Sequence, residues 1–183
     1  MPSKFEPGSS STTFVLETER LRLRELARSD LDFMAEMLAD AEVMRYYPRR
    51  LTRDLSAEWI DRQIARYRTD GYGLWLAEER GTNTPVGQAG LVRQTINGVD
   101  ECEVGYLIHR AFWRRGFASE AARACRDYAF RTLGRQRVVS LVRADNEPSQ
   151  HVARNLGMEV VGHAPHGGYD HLVFAVANPE SAR

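Results

Sequence analysis

The hydrophobic period of this chain switches repeatedly between two and 3.6 residues, and the order of the switches limits what it can fold into. Arg20-Leu21-Arg22-Leu23-Arg24 alternates strictly and reads as a half-buried strand. Ser29-Asp30 offers an N-cap to a helix that carries Leu31, Met34 and Leu38 on one stripe. A second helix spans about Leu55 to Tyr67. Strands follow at Tyr72–Glu78, Val86–Gln94 and Glu101–His109, separated by the turns at 81–85 and Asn97-Gly98. A third helix covers about Phe117 to Leu133, with an alanine-rich apolar stripe and a stop at Gly134. Val138–Val142 is a short buried strand. Asn146 caps a fourth helix, Pro148 sits in its first turn and Gly157 ends it. Val160-Val161 and His171–Val176 are the last strands. About seven strands and four helices in this order, without a repeat or an internal linker, predict a single α/β (α+β) domain around a mixed sheet. Its bounds are 14–177, between a flexible tail at 1–13 and a C-terminal tail at 178–183.

Composition removes several function classes. The chain has 183 residues, enough to bury a core without staples, and its 25 basic and 25 acidic residues cancel. A neutral chain has no bulk field to draw in a polyanion, so nucleic acid is not expected as a partner. No apolar run approaches the ~18 residues of a membrane helix, and no partner membrane is expected. Cys102 and Cys125 cannot build a zinc site alone and read as thiols of a reducing cytoplasm. The charge is nonetheless uneven. Eight arginines against Glu120 and Asp127 give a local charge of +6 between Arg110 and Arg137, which suits a small polyanionic ligand.

The segment Glu103-Val104-Gly105-Tyr106-Leu107-Ile108-His109, then Trp113-Arg114-Arg115-Gly116-Phe117-Ala118-Ser119-Glu120, carries the chemistry. A strand runs into a basic turn that opens a helix. A helix start leaves about four backbone N–H groups without partners at the positive end of the dipole, which is an anion site suited to a pyrophosphate. Gly116 allows close approach, Ala118 keeps the first turn uncluttered, and Arg114 and Arg115 add charge. The glycines of a nucleotide-binding loop or a dinucleotide fingerprint are missing. Downstream stand Asp145-Asn146-Glu147-Pro148-Ser149 and Arg154-Asn155-Leu156-Gly157-Met158.

Together these elements resemble the GNAT superfamily of acyl-CoA-dependent N-acetyltransferases, and within it the ribosomal-protein N-terminal acetyltransferase-like (RimJ/RimL-type) branch. The likeness covers roughly Phe14 to Val176 and includes the opening Glu17-Thr18-Glu19-Arg20-Leu21-Arg22-Leu23-Arg24 and the Met44-Arg45-Tyr46 loop. It implies that the strand ending at His109 and the strand Val138–Val142 splay apart and admit the pantetheine of acetyl-CoA against the backbone of Leu107 and Ile108. The pyrophosphate would rest on the amides of Arg115 to Ser119, including Gly116, Phe117 and Ala118, with Arg114 beside it. Asn146, Ser149 and Arg154 complete the expected cofactor contacts.

The implied reaction is acetyl transfer to a primary amine, either a protein N-terminus or a small molecule, with no metal. Glu103 is the candidate base and a substrate contact. The tyrosine that many GNAT enzymes place on the thiol side is replaced here by Ala153, so Ser149 is the candidate thiol-side donor. Tyr46, Tyr47, Trp75 and Tyr169 are candidate walls of the acceptor pocket. His166-Gly167-Gly168-Tyr169-Asp170-His171 reads as a substrate-facing hairpin loop rather than a metal site. A homodimer is common among similar proteins, though no residue of this sequence marks one. The alternative reading is an acyl-CoA sensor that kept the phosphate turn and lost turnover.

Overall fold

The computed structural model describes residues 14–182, so the expected tail at 1–13 lies outside the described residues. The chain runs β1 (Phe14–Glu17), β2 (Leu21–Arg24), α1 (Leu31–Ala39), α2 (Arg53–Thr69), β3 (Leu74–Glu79), β4 (Thr84–Ile96), β5 (Val99–Ile108), α3 (Phe117–Arg131), β6 (Arg137–Arg143), α4 (Glu147–Asn155), β7 (Glu159–His166) and β8 (Tyr169–Ala177). The strands form one mixed sheet in the order β1-β2-β3-β4-β5-β6-β8-β7. The eighth strand, beyond the seven expected, is β1. Its Phe-Val-Leu-Glu lacks period-two alternation because it is a half-exposed edge, and it is defined by pairing with β2. The expected C-terminal tail is also partly structured. Asn178 N–H donates to the Gln136 carbonyl at 2.8 Å, and Pro179–Ala182 make a 3-10 turn.

Both faces of the sheet are covered. α3 packs on one face over Leu21, Leu23, Ala77, Val104 and Phe174. α1 and α2 pack on the other, bringing Met34, Leu38 and Ile60 into one cluster with Leu26 and Leu76. The central strands therefore bury both sets of side chains, as strands covered on two sides do. This arrangement corrects one expected acceptor contact. Trp75 lies on the α3 face with Ala77, is 1% exposed, and meets the Tyr128 ring edge-on at 5.6 Å. It is a core residue and not a wall of the acceptor pocket.

A second correction concerns Asp30. It precedes α1 but does not cap it by a side-chain hydrogen bond. Its carboxylate accepts two hydrogen bonds from Arg24, both 2.8 Å, and one from Ala27 N–H. A buried charge draws the carboxylate more strongly than an amide does.

The sheet divides where it turns parallel. β5 and β6 share a single recorded backbone bridge among the described residues, Glu103 opposite Val139. Beyond it the strands part, and side chains take over the freed backbone groups. Ser140 Oγ–H donates to the Val104 carbonyl at 2.7 Å, and Leu141 N–H reaches Glu103 Oε1 at 3.4 Å.

Candidate active site

The parting of β5 and β6 opens a cleft of about 870 Å³. Leu107 and Ile108 on one strand and Leu141 to Arg143 on the other form its sides. The start of α3 closes one end, and the β7–β8 hairpin with the Tyr46-Tyr47-Pro48 loop closes the other. The Trp113 indole N–H donates to the Ile108 carbonyl at 2.7 Å, so one acceptor position on that rim is already engaged.

At the first end the backbone forms a cradle of free amides, a geometry that suits an anion. Arg114 and Gly116 both take positive φ, 61° and 81°, which folds the turn back onto the helix start. Gly116 caps α3 without a side chain, and the first intrahelical bond is Glu120 N–H to the Gly116 carbonyl at 3.1 Å. The N–H groups of Phe117, Ala118 and Ser119 thus precede any intrahelical acceptor. Arg114, Gly116, Phe117, Ala118 and Ser119 line the cleft, and the Phe117 side chain is also part of the core.

The cradle is braced from the far end of the chain. Arg20 Nε donates to Glu120 Oε2 at 2.7 Å, and its Nη1 donates to the Arg115 carbonyl at 2.9 Å. The Arg20 guanidinium also lies 4.8 Å from the centroid of the Phe117 ring. Thr18 donates to Glu120 Oε1 at 2.6 Å. Burial pushes the Glu120 carboxyl up, but the hydrogen bonds from Thr18 and Arg20 prevail and hold it below its ordinary value.

The arginine-rich stretch is less available than its charge suggests. Arg110, Arg126 and Arg137 pair with Asp40, Asp127 and Glu101. The Arg115 guanidinium lies over the Phe112 ring at 5.2 Å and does not line the cleft, so Arg115 can serve the cradle through its backbone alone. Of the eight arginines, Arg114 alone reaches the cleft wall.

α4 presents Asn146, Ser149, Val152 and Asn155 to the cleft at three-residue spacing. Asn146 Oδ1 accepts from Ser149 N–H at 3.1 Å and caps the helix. Arg154 falls off that stripe. It is exposed, donates to Gln150 at 3.0 Å and lies over the Phe174 ring at 5.7 Å, and it does not line the cleft. Asn155, which no motif of the sequence singles out, lines the cleft and donates to Ser119 Oγ at 3.4 Å.

Between the two ends sits a cluster of polar groups: Glu103, Tyr47, Tyr106 and Ser149. Glu103 is half-buried on the cleft floor, not an exposed strand acid. Burial pushes its carboxyl up to about 7, against the opposing pull of Leu141 N–H and the Arg66 charge. Tyr47 is an exposed residue, but desolvation of its hydroxyl in the cleft and the neighbouring Glu103 push that hydroxyl up to about 12. Tyr106 was not a candidate from sequence. Its hydroxyl stands 3.0 Å from Ser149 Oγ and 2.9 Å from the Ser149 carbonyl. Alternation along β5 puts Tyr106 opposite Glu103 in facing, but only the approach of α4 supplies its partner.

At the mouth, the Arg143 guanidinium lies 4.2 Å from the Tyr169 ring and 6.0 Å from the Tyr46 ring. Asp145 holds that guanidinium in two hydrogen bonds of 2.9 and 2.8 Å. Tyr46, Tyr47 and Tyr169 line the cleft at this end. His166 and His171 also face the cleft and meet edge-on at 5.5 Å.

The cleft thus joins free amides at a helix start, a parted parallel strand pair and a carboxylate between them. The family described as "Acetyltransferase (GNAT) domain" matches residues 20–159. The chain belongs to the GNAT acetyltransferase family. As a GNAT protein it is an acyltransferase that uses acetyl-CoA. It is 34% identical over 144 residues to the uncharacterized protein YkkB of Bacillus subtilis, covering 78% of this chain and 84% of that one. It is 29% identical over 151 residues to the spermidine N(1)-acetyltransferase of Escherichia coli, covering 80% of this chain and 76% of that protein. Among solved structures, an acetyltransferase from Agrobacterium tumefaciens superposes with a TM-score of 0.78 at 29% identity, covering 96% of this chain and all of the other. No helix of the described residues is long and apolar enough to cross a membrane.

Proposed function

We propose that this GNAT enzyme transfers the acetyl group of acetyl-CoA directly to a primary amine while both substrates occupy the cleft. The observation that carries the reading is the position of Glu103. Its carboxylate lies where β5 and β6 part, between the anion cradle and the aromatic mouth, and burial has tuned it to about 7.

The residues fit the substrate. The amides of Phe117, Ala118 and Ser119 with Arg114 would hold the pyrophosphate. The pantetheine arm would lie along Leu107 and Ile108, as a ligand does when it extends a sheet edge. An alkyl ammonium titrates near ~10 and must lose a proton before it can attack a thioester. Glu103 accepts that proton, directly or through water. A backbone N–H near Leu107 and Ile108 holds the oxyanion, a contact typically worth ~3–4 kcal/mol. Ser149 donates a hydrogen bond to the departing sulfur.

The acceptor is read from the same carboxylate. An α-amino group titrates near ~8, about two units below an alkyl ammonium, so it is the better match to a base at about 7. The paired Arg143 between Tyr46 and Tyr169 adds a cation at the mouth and gives a polycation no advantage there. These observations favour an N-terminal or other α-amine over a polyamine such as the spermidine named for the Escherichia coli relative.

Calorimetric titration with acetyl-CoA, followed by thiol release over a panel of α-amines, peptides and polyamines, tests the reading. Binding with release on α-amines is expected. Binding without release for any amine would make the protein an acyl-CoA sensor, and absence of binding would remove the cleft assignment altogether.

A further inference from the structure

Tyr106 has no part in the reaction as described so far, yet its hydroxyl lies in the cleft against the thiol-side residue. We propose that Tyr106 is a positioning residue that aims the Ser149 hydroxyl at the sulfur of coenzyme A. The inference rests on the reading that the thioester lies in this cleft with Ser149 beside its sulfur.

The geometry makes the pair a two-position switch. The Tyr106 hydroxyl carries one proton and has two acceptors within reach, the Ser149 carbonyl at 2.9 Å and Ser149 Oγ at 3.0 Å. With the Tyr106 proton on the carbonyl, the Ser149 proton points back at the Tyr106 oxygen and is withheld from the cleft. With the Tyr106 proton on Ser149 Oγ, the Ser149 proton is free to point elsewhere. Negative charge growing on sulfur favours the second state, because each donor then points towards the charge. The Ser149 backbone cannot drift out of range. Its N–H is held by Asn146 Oδ1 at 3.1 Å and its carbonyl lies in the first turn of α4.

The switch moves no proton between residues. Burial holds the Tyr106 hydroxyl up at about 12, well above a thiol near ~8.5, so full transfer from tyrosine to thiolate runs uphill. The C–S bond breaks with its electron pair leaving on sulfur, and the thiolate departs hydrogen-bonded to Ser149. It takes its proton later from water. Tyr106 and Ser149 together therefore lower the basicity of the leaving group without becoming charged themselves.

The prediction concerns the product complex, so it needs no knowledge of the acceptor. Ultraviolet absorbance of the thiolate, measured on protein saturated with coenzyme A, gives the pKa of the bound thiol. In the wild type it should lie at least about one unit below the free value near ~8.5, a tenfold gain in thiolate at neutral pH. Tyr106→Phe keeps the ring and its packing, and should return the bound thiol to the free value with coenzyme A affinity at low pH unchanged. Ser149→Ala should likewise return the bound thiol to the free value, and the double variant should shift it no further. A bound thiol in Y106F that titrates as in the wild type makes Tyr106 a structural tie between β5 and α4 and overturns the proposal. Equal further loss in the S149A background overturns it too, because Tyr106 would then act without Ser149. Should Y106F fail to fold, a wild-type titration curve in S149A is sufficient to reject the pair. Failure of the wild type to bind coenzyme A would instead refute the cleft reading on which the inference rests.

Discussion

At Glu103 two demands oppose each other. A carboxylate buried at the foot of the parted strands is costly to ionise, and that cost is what raises it towards the pH at which a base is useful. Replacing it by glutamine should reveal both sides. The wild-type rate should climb as pH rises through about 7, where Glu103 loses its proton, and Glu103→Gln should flatten that limb. Loss of a general base typically costs ~10²–10⁴ in rate, so the deficit should be greatest above pH 7 and smallest at pH 5. Stability should move the other way. The folded group titrates at about 7 and the unfolded one near its ordinary 4.5. Between those values the folded state holds the extra proton, so the wild type loses stability as pH rises through that window and carries the full penalty above it. Discounted for the open side of the cleft, removing the charge should recover roughly 1–3 kcal/mol at pH 8. Thermal midpoints at pH 8 and pH 4 check this: E103Q should melt higher at pH 8 and together with the wild type at pH 4.

The turn from Arg114 to Ser119 is where local sequence and distant contacts meet. Gly116 takes φ +81°, and a Cβ there would stand 3.3 Å from Arg20 Nη2. Gly116→Ala therefore meets two penalties. A left-handed residue other than glycine costs ~1–2 kcal/mol, and the methyl displaces the brace that Arg20 supplies to Glu120 and the Arg115 carbonyl. Acetyl-CoA affinity should fall about tenfold in both G116A and R20A, measured calorimetrically. An R20A protein that binds as tightly as the wild type would reduce the brace to a fold contact. The cradle itself was legible in the sequence because a strand, a single glycine and a helix start lie within one continuous segment. Its brace was not, since Arg20 and Glu120 lie far apart along the chain. The same distinction explains the other departures. Tyr106 and Asn155 gained roles through partners on other elements. Trp75 lost one because its face is set by which helix covers the sheet. Two arginines of the 110–137 stretch are paired by acids outside it, Arg110 by Asp40 and Arg137 by Glu101, and Arg126 is paired by Asp127 within it. Period and turn chemistry report what an element is, whereas a site is decided by what its neighbours leave free.

Across the whole molecule the sheet behaves as two halves with a weak seam. The antiparallel run from β1 to β5 meets the β6-β8-β7 group through one recorded backbone bridge between β5 and β6 and through side-chain contacts, among them those of Ser140 and Glu103, the Arg137–Glu101 pair, and Asn97 with the His163 carbonyl. α3 spans the seam by connecting β5 to β6, and its start carries the cradle. A ligand that fills the gap as an extra strand would join the two halves through backbone groups the protein leaves unpaired. Its effect on stability should therefore reach beyond its point of attachment. At a hundred times its dissociation constant, a ligand stabilises the folded state by ~2.7 kcal/mol. For a chain of this size that raises the melting temperature by roughly 5–10 °C. Hydrogen exchange locates the effect. Acetyl-CoA should slow the amides of residues 117–119 at the cradle, and also those of 106–108 and 141–143 on the two margins of the seam. The outer half of β7 should exchange as before. Protection confined to 117–119 would mean that the phosphates dock while the thioester arm stays outside the sheet, which would leave Glu103 without a substrate to act upon.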